Sequence, residues 1–294
     1  DLYTMAPPSA GGLVIGEMLN ILAGYDLAAA GFQTPKALHL ELEAERRAYI
    51  DRNKYLGDPA TTRIPYRELL SEERARIWRA SINLRQSTPT ITLSEPGTVP
   101  GEGTHTTHFS IVDPEGNIAS MTYTLNDNFG SGFVVPGLGF LLNNEMDDFT
   151  TAPGKPNLYG LVQGTANAIE PGKRMASSMS PTIVMKNGKP FLVLGTRGGA
   201  TIPTSVLQVF LNIVVWKQSL QDAITAPRYH QQGLPEEIYF ERGRAPQSTL
   251  RLLNAMGHGT KERDPIGDIH AVMIDNGKLI AVADPRHSGA AGGF

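Results

Sequence analysis

Apolar positions in the N-terminal third recur at helical spacing. In "GGLVIGEMLNILAGYDL", Leu13, Met18, Leu19, Ile21 and Leu22 follow the breaker "PPSAGG", which predicts a helix opening at the glycines. "TPKALHLELEAERRAYIDR" has Thr34 as N-cap, Pro35 at the first helical position, and Leu38, Leu42 and Tyr49 on one face. "YRELLSEERARIWRASI" reads as a third helix. The pattern stops at "STPTITLSEPGTVPGEGTH", whose Pro, Gly, Ser and Thr content marks a loop or linker.

Beyond it the period becomes two. "HFSIV" and "IASMTYTL" alternate across "DPEGN", a hairpin signal. "TIVMK" and "PFLVLGT" flank "NGK", and "HAVMI" and "LIAVAD" flank "DNGK"; Asn-Gly between alternating runs is the strongest short-range hairpin cue. Helices are expected at "TIPTSVLQVFLNIVVW", "SLQDAITAP" and "APQSTLRLLNAM". Antiparallel hairpins mixed with helices predict an α+β fold, with helices layered on a sheet core.

Composition narrows the classes. The 294 residues are 40% hydrophobic and 19% charged, a globular balance that excludes disordered and collagen-like chains. A net charge of -3 without runs of one sign gives no reason to expect a nucleic-acid or membrane-surface partner. Apolar runs fall short of a membrane span. With no cysteine, disulfides and thiolate chemistry are excluded; the lack fits an exported bacterial protein. The opening "DLYTMAPPSAGG" lacks the basic and apolar regions of a signal peptide.

Candidate chemistry centres on "EGTHTTHFSIVD". A threonine hydroxyl is a poor nucleophile unless a base takes its proton, and an α-amine with a pKa of about 8 on the same residue is one such base. Thr106 acquires that amine if its hydroxyl attacks the His105 carbonyl and the resulting ester hydrolyses. β-Propensity alone also accounts for Thr-Thr at a strand start. Thr122, Thr124 and Asn126 share one face of the partner strand and reach the same place, unless they form a solvent-facing polar stripe. "LLNNEMDDF" offers Glu145, Asp147 and Asp148 as a base, a metal site or a seat for a substrate ammonium, or as a plain acidic turn. No metal-ligand spacing accompanies them, so no metal site is expected. Ser177, Ser178 and Ser180 in "RMASSMSPT" suit a substrate carboxylate or a local turn. In "LGTRGGATIPTSVLQ", Gly198 and Gly199 lie between a strand and a helix N-terminus. Backbone N–H groups in such a turn make an anion pocket, which in acyl transfer is an oxyanion hole; a tight turn explains them too.

The segments "PPSAGG", "YLGDP", "TTHFS", "YTLN", "LLNNEMDDF", "NLYGLV", "SSMSPT", "GTRGGA", "APRYHQQ" and "ADPRHSGAAGGF" together resemble, in family order, the γ-glutamyltranspeptidase family of N-terminal nucleophile hydrolases. The resemblance implies a four-layer αββα sandwich. It implies that residues 1–105 are the C-terminal part of a large subunit and 106–294 a small catalytic subunit. Cleavage between His105 and Thr106 would yield a large/small heterodimer. By the same resemblance Thr106 is the nucleophile, Thr124 activates it, and Gly198 and Gly199 form the oxyanion hole. Asn126, Glu145 and Asp148 hold the substrate amino group, Ser177 and Ser178 its carboxylate side, and Tyr159 tips a lid loop. Substrates would be glutathione and other γ-glutamyl compounds, with water, amino acids or peptides as acceptors. No cofactor is implied, and the compartment is periplasmic or extracellular.

Family precursors carry a long portion before "PPSAGG", including an arginine that grips the substrate carboxylate. This chain starts at Asp1, so the expectation is a sandwich lacking that portion. The rival readings are an acylase for glutaryl or cephalosporin-type side chains, which Asp148 disfavours because a glutaryl group has no ammonium, and a catalytically incomplete fragment that needs a second chain.

Overall fold

A computed structural model describes residues 1–93 and 106–293. A short strand, β1 (Leu2–Tyr3), leads into α1 (Gly11–Leu22), α2 (Leu27–Ala30), α3 (Pro35–Tyr55), α4 (Tyr66–Leu69) and α5 (Glu72–Ala80). The start of α3 follows from its sequence. The Thr34 hydroxyl accepts the Ala37 N–H at 3.2 Å, and Pro35 fills a position where no N–H is needed. The third predicted helix is divided in two. The Ser71 hydroxyl donates to the Glu68 carbonyl at 2.7 Å and accepts from the Arg74 N–H at 3.0 Å, so one serine ends α4 and caps α5.

The later segment supplies β2 (Thr106–Val112), β3 (Ile118–Thr124), β4 (Thr182–Lys186), β5 (Lys189–Gly195), α6 (Ile202–Val214), α7 (Leu220–Thr225), β6 (Tyr229–His230), β7 (Glu237–Glu241), α8 (Gln247–Ala255), β8 (Gly259–Arg263), β9 (His270–Asp275) and β10 (Lys278–Ala283). All three predicted hairpins form. Both Asn-Gly turns have positive φ at each residue, 53° and 74° at Asn187 and Gly188, 49° and 79° at Asn276 and Gly277, the geometry that matches strand twist in two-residue turns. Strands run β1-β4-β5-β9-β10 in an antiparallel sheet, β2-β3 in a pair, and β6-β7-β8 in a small sheet whose β7 and β8 are parallel. The fold is α+β.

The main core joins Leu13, Val14 and Tyr49 of α1 and α3 to Leu192 and Leu194 of β5 and Val206 and Leu207 of α6. Residues from before and after the undescribed stretch therefore share one core, and β1 pairs with β4. Among the described residues no helix is long and apolar enough to cross a membrane.

Burial in α3 goes beyond what its sequence predicts, and burial decides which face of the β2–β3 hairpin lies inside. The α3 helix was expected to bury one face, yet every residue from Ala37 to Arg52 is buried. Its charges find partners inside: Glu43 pairs with Arg47 at 2.8 Å, Asp51 takes Arg74 and the Trp78 indole N–H, and a Glu45 oxygen accepts the Gln231 N–H at 2.8 Å. The β2–β3 hairpin turns its polar face inward. Ser110 donates to the His270 carbonyl at 3.2 Å, and Ser120 to the Leu194 carbonyl at 3.3 Å. The His108 ring occupies the space a side chain at Gly195 would need. Phe109, Ile111, Met121 and Tyr123 face outward and are exposed. Of the two readings of Thr122 and Thr124 the inward one applies, because their face packs against the five-stranded sheet, but only Thr124 meets Thr106; the Thr122 hydroxyl bonds the His108 ring at 2.9 Å and does not reach the site.

Candidate active site

Strand pairing places the hydroxyls. Thr106 opens β2 directly opposite Thr124, the last residue of β3. The Thr106 hydroxyl donates to Thr124 Oγ1 at 3.1 Å, and the same oxygen accepts the Asn126 N–H at 2.8 Å. Thr106 is 8% exposed. The expected cleavage partner His105 lies outside the described residues.

The chain then bends sharply. Asn126 has φ 76°, a left-handed conformation uncommon for a side-chain-bearing residue and frequent at functional sites. Its amide donates to the Asn144 carbonyl at 3.1 Å. The Tyr159 hydroxyl donates to both its side-chain and its main-chain oxygens. Tyr159 is itself buried and lies over Gly199: a Cβ there would sit 2.4 Å from two ring atoms, and φ is +54°. Only glycine fits that position. Gly198 and Gly199 link the end of β5 to a turn of 3₁₀ helix and then to α6. Neither N–H has an acceptor among the described residues, so two donors stand ready at a helix entrance.

The acidic turn 145–148 puts only Asp148 into the site. Burial, then the nearby Glu145 charge, push the Asp148 carboxyl up to about 8, while Arg52 and Asn126 oppose the shift. Its main-chain oxygen is gathered by the amides of Asn157, Gln163 and Asn167 at 3.2, 3.3 and 2.8 Å. Glu145 is half-buried beside the cavity rather than in its wall, with its carboxyl raised to about 7 by burial. Asp147 is exposed and accepts from Asn144. The Ser177 hydroxyl accepts the Met179 N–H at 3.1 Å, and Ser178 Oγ accepts from Arg52 Nη2 at 3.2 Å. Ser180 is buried behind them, bonded to the Ser178 carbonyl.

Eight predicted residues thus line one cavity: Thr106, Thr124, Asn126, Asp148, Tyr159, Ser177, Ser178 and Gly199. Gly198 and Glu145 adjoin it. Arg52 also lines it and was missed, since an arginine in a charge-rich helix reads as a solvated residue; its place just before "YLGDP" was the one available hint. The cavity holds about 20 Å³, room for about one water, because Tyr159 closes over Gly199. A larger cleft of about 720 Å³ lies at the turn end of the hairpin, but its lining includes no hydroxyl nucleophile. No group of three residues suited to a metal occurs among the described residues.

The family model of Gamma-glutamyltranspeptidase matches residues 1–294. The chain belongs to the γ-glutamyltranspeptidase family. It is 43% identical over 287 residues to the glutathione hydrolase proenzyme of Escherichia coli (strain K12), a match that covers 97% of this chain and 49% of that protein. Among solved structures, γ-glutamyltranspeptidase from Pseudomonas nitroreducens complexed with L-DON is 48% identical, with a TM-score of 0.62, over 64% of this chain and 99% of that one. Cephalosporin acylase from Bacillus halodurans is 26% identical, with a TM-score of 0.79, over 97% of this chain and 49% of that one. The chain spans about half the length of the curated relatives it matches.

Proposed function

We propose that this chain carries the catalytic part of a γ-glutamyltransferase and glutathione hydrolase with a threonine nucleophile. In this reading the fold is the four-layer αββα sandwich, residues 1–105 belong to the large subunit, and 106–294 form the small one. Thr106 Oγ1 first attacks the His105 carbonyl carbon. The peptide bond becomes an ester, whose hydrolysis frees the Thr106 α-amine. That amine then takes the hydroxyl proton as Oγ1 attacks the γ-carbonyl carbon of glutathione or another γ-glutamyl amide, and passes it to the departing amine. The Gly198 and Gly199 N–H groups receive the oxyanion. Water, an amino acid or a peptide then takes the γ-glutamyl group from Thr106. Asp148, aided by Asn126 and Glu145, holds the substrate ammonium, Ser177 and Ser178 face its carboxylate, and Tyr159 must swing aside for entry.

One observation carries the reading: a buried threonine hydroxyl bonded to a second threonine, in a cavity walled by an unpaired glycine turn and a buried acid. In the protein completed by the portion its relatives possess, Thr106→Ala should abolish both self-cleavage and turnover of a chromogenic γ-glutamyl anilide. Denaturing mass spectrometry and the anilide assay measure these, and normal cleavage in the variant would overturn the assignment.

The likeness to a cephalosporin acylase along nearly the whole chain favours one second reading, an acylase for glutaryl-type side chains. Asp148 argues against it, because a carboxylate at that wall is matched to an ammonium.

A further inference from the structure

Four arginines are buried to 1% exposure or less: Arg46, Arg47, Arg52 and Arg228. Three are paired with acids, Arg46 with Glu236, Arg47 with Glu43 and Arg228 with Asp284. Arg52 forms no ion pair among the described residues. Its Nη1 donates to Asn53 and Gln163 at 3.1 Å each, its Nη2 to Ser178 at 3.2 Å, and its Nε has no acceptor among the described residues. A buried guanidinium without a directly paired acid is costly, so its retention needs a reason. The Thr106 cavity supplies one, because Arg52 lines it together with Asp148 and Ser178. Gln163 links the two sides: it accepts from Arg52 and donates to the Asp148 main chain.

We infer that Arg52 is a positioning residue of this cavity: it fixes the Ser178 hydroxyl on the substrate carboxylate side and supplies the positive charge that favours the ionised form of Asp148 called for by the substrate ammonium. The inference rests on the γ-glutamyl reading. A substrate that is a zwitterion at its α-carbon then lies between a positive and a negative pole, and charges alternate across the pocket. Other charges facing Asp148 are Glu145 and Asp147 from its own turn, which favour its protonation. Tyr159, across the cavity, stays neutral because burial and these acids raise its hydroxyl. Arg52 is the cation that opposes them.

The test compares Arg52→Gln and Arg52→Lys with wild type in the processed, complete enzyme, using a γ-glutamyl anilide and a glutaryl anilide across pH. With Arg52→Gln, Asp148 should hold its proton to higher pH. The acidic limb of kcat/KM for the γ-glutamyl substrate should then move up by about one pH unit, and KM at neutral pH should rise roughly tenfold. The glutaryl limb should stay in place, because no ammonium calls on Asp148. Arg52→Lys keeps the charge but loses the fixed fork, so its limb should stay while KM rises. If Arg52→Gln is cleaved normally yet its limb does not move, or if both substrates suffer equally, the inference falls. Should Arg52→Gln fail to fold and cleave, Arg52→Lys decides: an unmoved limb with raised KM supports the inference, and a moved limb or unchanged KM overturns it. A wild-type enzyme that ignores the γ-glutamyl anilide but cleaves the glutaryl one overturns the functional reading itself, and the inference with it.

Discussion

Burial pushes the Asp148 carboxyl up to about 8 and Arg52 opposes the shift, in the wall of the cavity where the proposed contact with a substrate ammonium would form. A charge-assisted contact of this type is worth about 1.5–3 kcal/mol, so Asp148→Asn should lower kcat/KM for γ-glutamyl anilides roughly ten- to a hundredfold. Glutaryl anilides should lose far less. Paired kinetic measurements on the two substrates decide it, and equal losses would mean that Asp148 supports the fold instead of reading the amino group. At this scale the sequence was most informative where residues sit in short motifs. Thr106, Asn126 and the serines could be named because their chemistry and their order along the chain are visible together. Arg52 could not, because only the fold reveals that its helix is buried on every side.

The α3 helix shows how an element can be predicted while its environment is not. Thr34 and Pro35 mark its start locally, but the burial of its charges depends on partners far along the chain, such as Gln231 and Tyr229. The same contrast explains the hairpins. Asn-Gly turns fix pairing locally, whereas alternation in β2 and β3 defines two faces without saying which is inside. Glu41 makes the cost of such burial measurable. It is 1% exposed, accepts the Tyr229 hydroxyl, and burial pushes its carboxyl from 4.5 up to about 7. Its folded state binds the proton more tightly than the unfolded state. The stability it contributes is therefore complete below about 4.5 and lost as pH rises through about 7. Glu41→Gln removes that loss, so the variant should gain on wild type, by on the order of 3 kcal/mol, between about pH 5 and about pH 8. Denaturant titrations at the two pH values measure it, and a difference that stays constant with pH would contradict the buried-acid account.

At the scale of the whole molecule, Phe109, Ile111, Met121 and Tyr123 on the outward face of the β2–β3 hairpin are exposed, and so are Phe129, Phe133, Leu138 and Phe140 further along the chain. Large apolar side chains left exposed in such number favour contact with another apolar surface. The 294-residue chain by itself should therefore bind an apolar dye such as ANS under native conditions, and Met121→Lys with Tyr123→Lys should weaken the signal without lowering Tm. Background fluorescence in the parent chain would show that the surface is covered.

The core that α1 and α3 share with α6 and β5, and the pairing of β1 with β4, have a consequence for a molecule cut before Thr106. The two pieces would share one core, and their separation would expose it. Unfolding would change from a one-body to a two-body event and become subject to mass action. Tm of the cut form should rise with protein concentration, while that of the uncut Thr106→Ala chain should not. Calorimetry over a roughly hundredfold concentration range distinguishes the two, and a concentration-independent Tm in both would mean that the two pieces do not separate in the transition. Self-cleavage would then leave the architecture in place while changing the reaction order of its loss.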